Sequence, residues 1–120
     1  MMKNIDTLTG PDMNRAVAMA LGMLVYHTVS GWMCRPRGVI ELMPLPNYTG
    51  DIAVAWPIIE DHDIDIFNTH TAEMGFKATL NLKPYQPHLF SIGYGTTRLE
   101  AVMRALLHSV YGEEIELDAY

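Results

Sequence analysis

Phe76-Lys77-Ala78-Thr79-Leu80-Asn81-Leu82-Lys83 alternates apolar and polar residues without a break. Successive side chains of a strand point to opposite faces, so this pattern predicts a strand with Phe76, Ala78, Leu80 and Leu82 toward a core. Lys77, Thr79, Asn81 and Lys83 then face water, and Pro84 and Pro87 bound the strand. Further along, the period changes: Leu99, Val102, Met103, Leu106, Leu107 and Val110 follow the helical stripe. Thr97 and Glu100 stand in capping-box spacing, and Gly112 closes the helix. Glu100 and Arg104 make an i, i+4 pair worth about 0.3 kcal/mol. A half-wet strand followed by a broad amphipathic helix points to a helix lying on a sheet.

The flanking segments extend this layout. Residues 64–68 read as a short strand, a turn follows near 71–75, and residues 88–92 add a last strand. Nearer the start, Gly10-Pro11-Asp12 opens a helix whose stripe is Met13, Ala16, Val17, Ala20 and Leu21, with Gly22 at its C′ position. Residues 23–28 are rich in strand formers, Ser30-Gly31 turns the chain, and Arg35-Pro36-Arg37-Gly38 forms a loop. Residues 39–43 read as the second arm of an irregular hairpin. Asp51 starts another helix, from 52 to about 60, with Ile52, Ala55, Trp56 and Ile59 on one face. Pro57 inside it removes one helical hydrogen bond and predicts a kink or a late start. The order is α-β-β-α-β-β-(β)-α. It describes a single α+β domain over residues 1–120, a mostly antiparallel sheet of four to five strands covered by three helices. The ends, about 1–8 and 113–120, are expected to be loose.

Composition narrows the function classes. At 120 residues and 49% hydrophobic, the chain has the length of one domain and apolar mass for one core. Its net charge is −6, from 14 acids against 8 bases, which disfavours nucleic acid as a partner and suits association with basic protein surfaces. A lone cysteine, Cys34, precludes an internal disulfide and fits a reducing compartment. The opening six residues lack the apolar core of a secretory signal, and the longest apolar run, 16–26, is about half of what a membrane span needs. A cytosolic location is expected, with no membrane partner.

Three segments carry a resemblance. Pro11-Asp12-Met13-Asn14-Arg15-Ala16-Val17-Ala18-Met19-Ala20-Leu21-Gly22 resembles the opening helix of the NinX-like, phage ABA-sandwich family of small tailed-phage proteins. Asp51-Ile52-Ala53-Val54-Ala55-Trp56-Pro57-Ile58-Ile59-Glu60 resembles that family's most recognisable stretch, and the helix entered through Gly95-Thr96-Thr97 is similar to its closing helix. Relatives often carry Trp where this chain has Phe76. The resemblance runs from Pro11 to about Val110. It implies a phage accessory protein and supplies no catalytic residues; action in the host cytoplasm, as host-takeover and anti-defence factors do, is the expectation built on that setting together with small size and acidic charge.

The residues themselves offer no coherent catalytic set. The five histidines are dispersed, and Ser91 and Ser109 lack the context of a nucleophile elbow. The leading expectation is therefore a non-enzymatic module that binds a host or phage protein, with Trp32, Arg35 and Arg37 as partner-binding residues. The alternative is a binder of a small, nucleotide-like anion at Lys77, Thr79, Asn81, Lys83, Gly95 and Arg98. It draws on the basic strand face and on the glycine-rich approach to a helix N-terminus. A metal-dependent enzyme around Asp61, His62, Asp63 and Asp65, in the acidic stretch from Glu60, ranks last, because the spacing matches neither a calcium loop nor a zinc motif. No cofactor is expected. Three short helices leave part of the sheet uncovered, which leaves room for a homodimer.

Overall fold

A computed structural model describes residues 2–81 and 90–117. Strand β1 (Met2–Asn4) leads through a 3₁₀ turn into helix α1 (Gly10–Ala20), followed by β2 (Leu24–Thr28), β3 (Gly31–Arg35) and the two-residue β4 (Met43–Pro44). Helix α2 (Ile52–Asp61) precedes β5 (Ile64–Asn68), β6 (Phe76–Asn81) and β7 (Phe90–Gly95). Helix α3 (Arg98–Tyr111) and β8 (Glu114–Glu116) complete the chain. The class is α+β, as expected. Among the described residues the strands number eight, not four or five, and they divide into three antiparallel sheets: β1-β8, β2-β3-β4 and β5-β6-β7.

The β5-β6-β7 sheet is the body of the molecule. Its register sets Ile66 opposite Ala78, and Ala78 opposite Gly93, on the face that α3 covers. Ala78 and Leu80 are buried there, while Lys77 and Thr79 stand on the other face, as the alternation predicts. Residues 93–95, read from the sequence as part of a glycine turn, are strand. The glycines are required by the helix above them. A Cβ on Gly93 would stand 2.3 Å from the Ala101 carbonyl oxygen and the Ala105 nitrogen, and one on Gly95 would stand 2.7 Å from the Ala101 nitrogen. Ser91 fixes the same contact by donating to the Ala105 carbonyl at 2.7 Å.

Helix α3 is buried on several sides because the sheet holds one face and α1 packs against another. Met103, Leu106 and Leu107 are its largest buried side chains. Thr97 caps the helix by accepting from the Glu100 N–H at 3.1 Å. Arg104 ties distant backbone together, donating to the carbonyls of Tyr94 at 2.8 Å and Leu8 at 2.9 Å. Glu100 and Arg104 thus take other hydrogen-bond partners than each other. Helix α1 ends in a Schellman motif: Gly22, at φ +87°, donates to Met19 O and Met23 donates to Ala18 O, both at 3.0 Å.

Four expectations need correction. The hairpin closes sooner than the sequence suggests. A two-residue turn at Val29-Ser30, held by the Thr28 hydroxyl, pairs β2 with Gly31–Arg35, so Trp32, Met33 and Cys34 are strand and not loop. Within 39–43 only Met43 pairs, and the loop before it is exposed. Helix α2 runs unbroken through Pro57, capped by Asp51, and buries Ala55, Ile58 and Ile59. Ile52 and Trp56 are 58% and 52% exposed, because α2 meets its neighbours one position around from the predicted face. The ends, expected loose, pair as β1 and β8 and bury Ile5, Leu8, Ile115 and Leu117. These apolar side chains need cover, which a loose tail would not give. Residues 118–120 lie outside the described residues.

Candidate functional site

A groove of about 500 Å³ opens between α1, the β2–β3 hairpin and the C-terminal strand. That volume is within the range of small-ligand sites. Arg15 and Met19 line it from α1, and Met23 and Leu24 line it from the start of β2. Tyr26, His27 and Trp32 come from the hairpin, Arg37 from the loop after it, and Tyr111, Glu116 and Leu117 from the end of the chain. The lining is thus mainly aromatic and aliphatic, with charged groups of both signs.

Its centre is a stack. The Arg15 guanidinium lies 4.1 Å over the Trp32 ring, and the His27 ring meets Trp32 at 4.8 Å between centroids, tilted 59°. In the strand register His27 stands directly opposite Trp32, so the pair is built by the hairpin. Arg15 is only 6% exposed, and such a charge needs a counter-ion. Asp12 supplies it at 2.8 Å, one helical turn back, and also meets Lys3 of β1 at 3.4 Å. The hydrogen bond from Arg15, opposed by burial and aided by the charges of Arg15 and Lys3, holds the Asp12 carboxyl below the ordinary carboxylate value. Asn14 pins the next wall: its carbonyl oxygen accepts from the Thr49 N–H at 3.1 Å and hydroxyl at 3.2 Å.

The outer side of the hairpin repeats the theme. Arg35 lies 5.6 Å over the Tyr26 ring, donates to its hydroxyl at 3.1 Å and donates to the Val39 carbonyl at 2.7 Å. Cys34 is fully buried, and burial pushes its thiol pKa up. Tyr48 is pushed up to about 12, by burial first and by Cys34 second.

Of the expected partner-binding residues, Trp32 and Arg37 line the groove and Arg35 stands behind it. The expected anion-binding residues do not form one cluster. Lys77 and Thr79 stand on the uncovered face of the sheet. Gly95 pairs with Phe76 on the face toward α3, and Arg98 lies 4.5 Å over the Phe76 ring. Lys83 lies outside the described residues, as does the side chain of Asn81. The N-terminus of α3 already holds an anion: Glu100 accepts from the Thr96 N–H at 3.0 Å and hydroxyl at 2.7 Å. Burial works to raise the Glu100 pKa, but these bonds and the nearby Arg104 outweigh it and the net shift is downward. A hollow of about 280 Å³ beside Gly95 and Thr96 is lined by Asp6 and Glu73 as well as Arg104.

The acidic segment after α2 has structural work. His62 Nδ1 lies 3.0 Å from the Ile58 carbonyl at the helix end, and Asp63 takes the left-handed conformation of the turn at φ +50°. Among the described residues, no three His, Cys, Asp or Glu side chains converge in a way that holds a metal. Arg15 and Asn14 are the residues that sequence reading missed. Both fall beside the apolar stripe of α1, and their burial depends on walls from the hairpin and residues 47–49.

The comparisons bear on the fold. No family model matches the chain, and no curated protein matches it. In three dimensions it is similar to a phage protein from Bacillus cereus ATCC 14579, known from a 2.0 Å crystal structure. The TM-score is 0.66 over 89% of each chain, at 19% sequence identity. At that identity the likeness is one of fold, and the narrower likeness to NinX-like proteins rests on the sequence segments alone. No helix among the described residues is long and apolar enough to cross a membrane.

Proposed function

We propose that this chain is a phage accessory protein that acts in the host cytoplasm by binding a host or phage protein, as host-takeover and anti-defence factors do. The groove beside Trp32 carries this reading. It combines volume for an inserted side chain, an aromatic ring held in place by Arg15, and Arg37 on its wall. Trp and Arg are the residue types that most often dominate binding energy at protein interfaces. The fold shared with a phage protein supports the setting. The test is in-cell crosslinking of tagged protein during infection, with Trp32→Ala and Arg37→Ala beside the unaltered chain. A partner should be captured by the unaltered chain and lost with either substitution. An identical set of crosslinked proteins from all three would overturn this site.

A second reading, binding of a small anion, is favoured by one observation. On the uncovered sheet face Phe67, Lys77 and Tyr94 stand in one cross-strand row, an ammonium between two aromatic rings. A planar anion fits such a row by stacking and charge. Asp65 on the same face opposes it. Thermal unfolding with added nucleoside monophosphates should then show a rise in Tm that Lys77→Glu removes. No rise with any of them would count against this reading.

A further inference from the structure

Residues 13–40 contain no Asp or Glu, yet they carry Arg15, Arg35 and Arg37, three of the chain's eight bases. This stretch is α1, the hairpin and the start of the next loop, so it forms most of the groove's wall. In a protein of net charge −6, positive charge is thus gathered at the groove. Beside it the loop leaves Val39, Ile40 and Leu42 exposed, Ile40 at 91%. A wall on which Arg15 and Arg37 face one acid, Glu116, with exposed apolar side chains beside it, suits an acidic segment that carries an apolar anchor.

We infer that the groove receives an acidic segment of the partner protein, in which Asp or Glu residues flank one aromatic or aliphatic anchor. The inference rests on the protein-binding reading above and names the partner's chemistry. The anchor enters against Met19, Leu24 and Trp32, and the flanking carboxylates meet Arg37 on the wall and, beyond the rim, Arg35 beside the Tyr26 hydroxyl. Both Arg15 and Arg35 are already stacked on rings, so part of the ordering cost is met before binding. A nucleic acid strand suits the site less well. Two arginines, Arg37 on the wall and Arg35 beside it, are too few to follow the row of phosphates of a strand, and the lining is mainly aromatic and aliphatic.

The test is selection from a random dodecapeptide library on the unaltered protein and on the R35E/R37E variant. The unaltered protein should enrich sequences with several acids around a Trp, Tyr, Phe or Leu. A synthesised member should bind about tenfold more weakly to the variant and weaken with added salt. Neutral or basic enriched sequences, no enrichment, or an unchanged affinity in the variant would overturn the inference. So would a single-stranded dodecanucleotide that displaces the enriched peptide. The variant's thermal midpoint is checked first, and R37E alone replaces it if the double variant unfolds. Two outcomes separate this inference from the reading beneath it. If Trp32→Ala abolishes partner capture in infected cells and R35E/R37E does not, the acidic inference fails and the groove reading keeps Trp32 without Arg37. If neither changes capture, the groove reading fails with it.

Discussion

Helices α3 and α1 both lie against strands, but the contacts are made of different material. Where α3 meets β7, Ser91, Gly93 and Gly95 face Ala101 and Ala105, and backbone approaches backbone with no room for one more carbon. Where α1 meets the hairpin, Arg15, Trp32 and His27 stack as flat groups with about 500 Å³ of open groove beside them. Small residues give density and leave nothing for a ligand. Large planar side chains hold a surface apart and keep space between them. The contrast places the dense packing in the α3–sheet body and leaves the α1–hairpin side with the open groove proposed for recognition.

Substitutions can break that contrast, and the largest effect belongs in the body. Gly93→Val should cost about 3 kcal/mol or more, because α3 must move away from its strand. A urea midpoint equal to that of the unaltered chain would refute the close approach. Leu107→Ala, fully buried in α3, should cost about 2–5 kcal/mol by leaving a cavity, while peptide binding at the groove persists in the folded fraction.

On the groove side the effects should be smaller. Asp12→Asn removes the counter-ion of Arg15 and should cost about 1 kcal/mol near neutral pH. Because the Asp12 pKa is depressed in the folded state, its contribution is present above the unfolded value and lost as pH falls through the folded one. The gap between the two proteins in urea should therefore close below about pH 4. A gap that persists in acid would mean that Asp12 acts through packing and not charge. Arg37→Glu, on an exposed loop, should change stability by less than about 0.5 kcal/mol and yet weaken partner binding measurably. Equal loss of stability and binding would remove the division of labour.

Much of the body was legible beforehand. The alternation from Phe76 and the stripe from Leu99 each repeat a local period over several turns or residues, and local periods survive folding. Gly93 and Gly95 look from the sequence like an approach to the helix and prove to be strand, since a glycine that admits a helix looks in one dimension like a glycine that bends the chain. The site was legible in part. Trp32 and Arg37 stood out as a large ring and a loop cation, but Arg15 and Asn14 sit among apolar neighbours on α1 and gave no signal of their own. Spacing puts Trp56 on one face with Ile52, Ala55 and Ile59, yet α2 buries Ala55, Ile58 and Ile59 and leaves Trp56 exposed.

The sequence by itself determined the α+β class, the three helices and the face of the central strand that meets the core, because each follows from spacing along the chain. Tertiary structure decided the rest. It divided the strands into three sheets, paired the two ends of the chain and brought Arg15 over Trp32, seventeen positions away. Those contacts join segments with no shared period. Their energy comes from burying apolar surface and pairing a buried charge, terms that exist only once the chain has closed on itself.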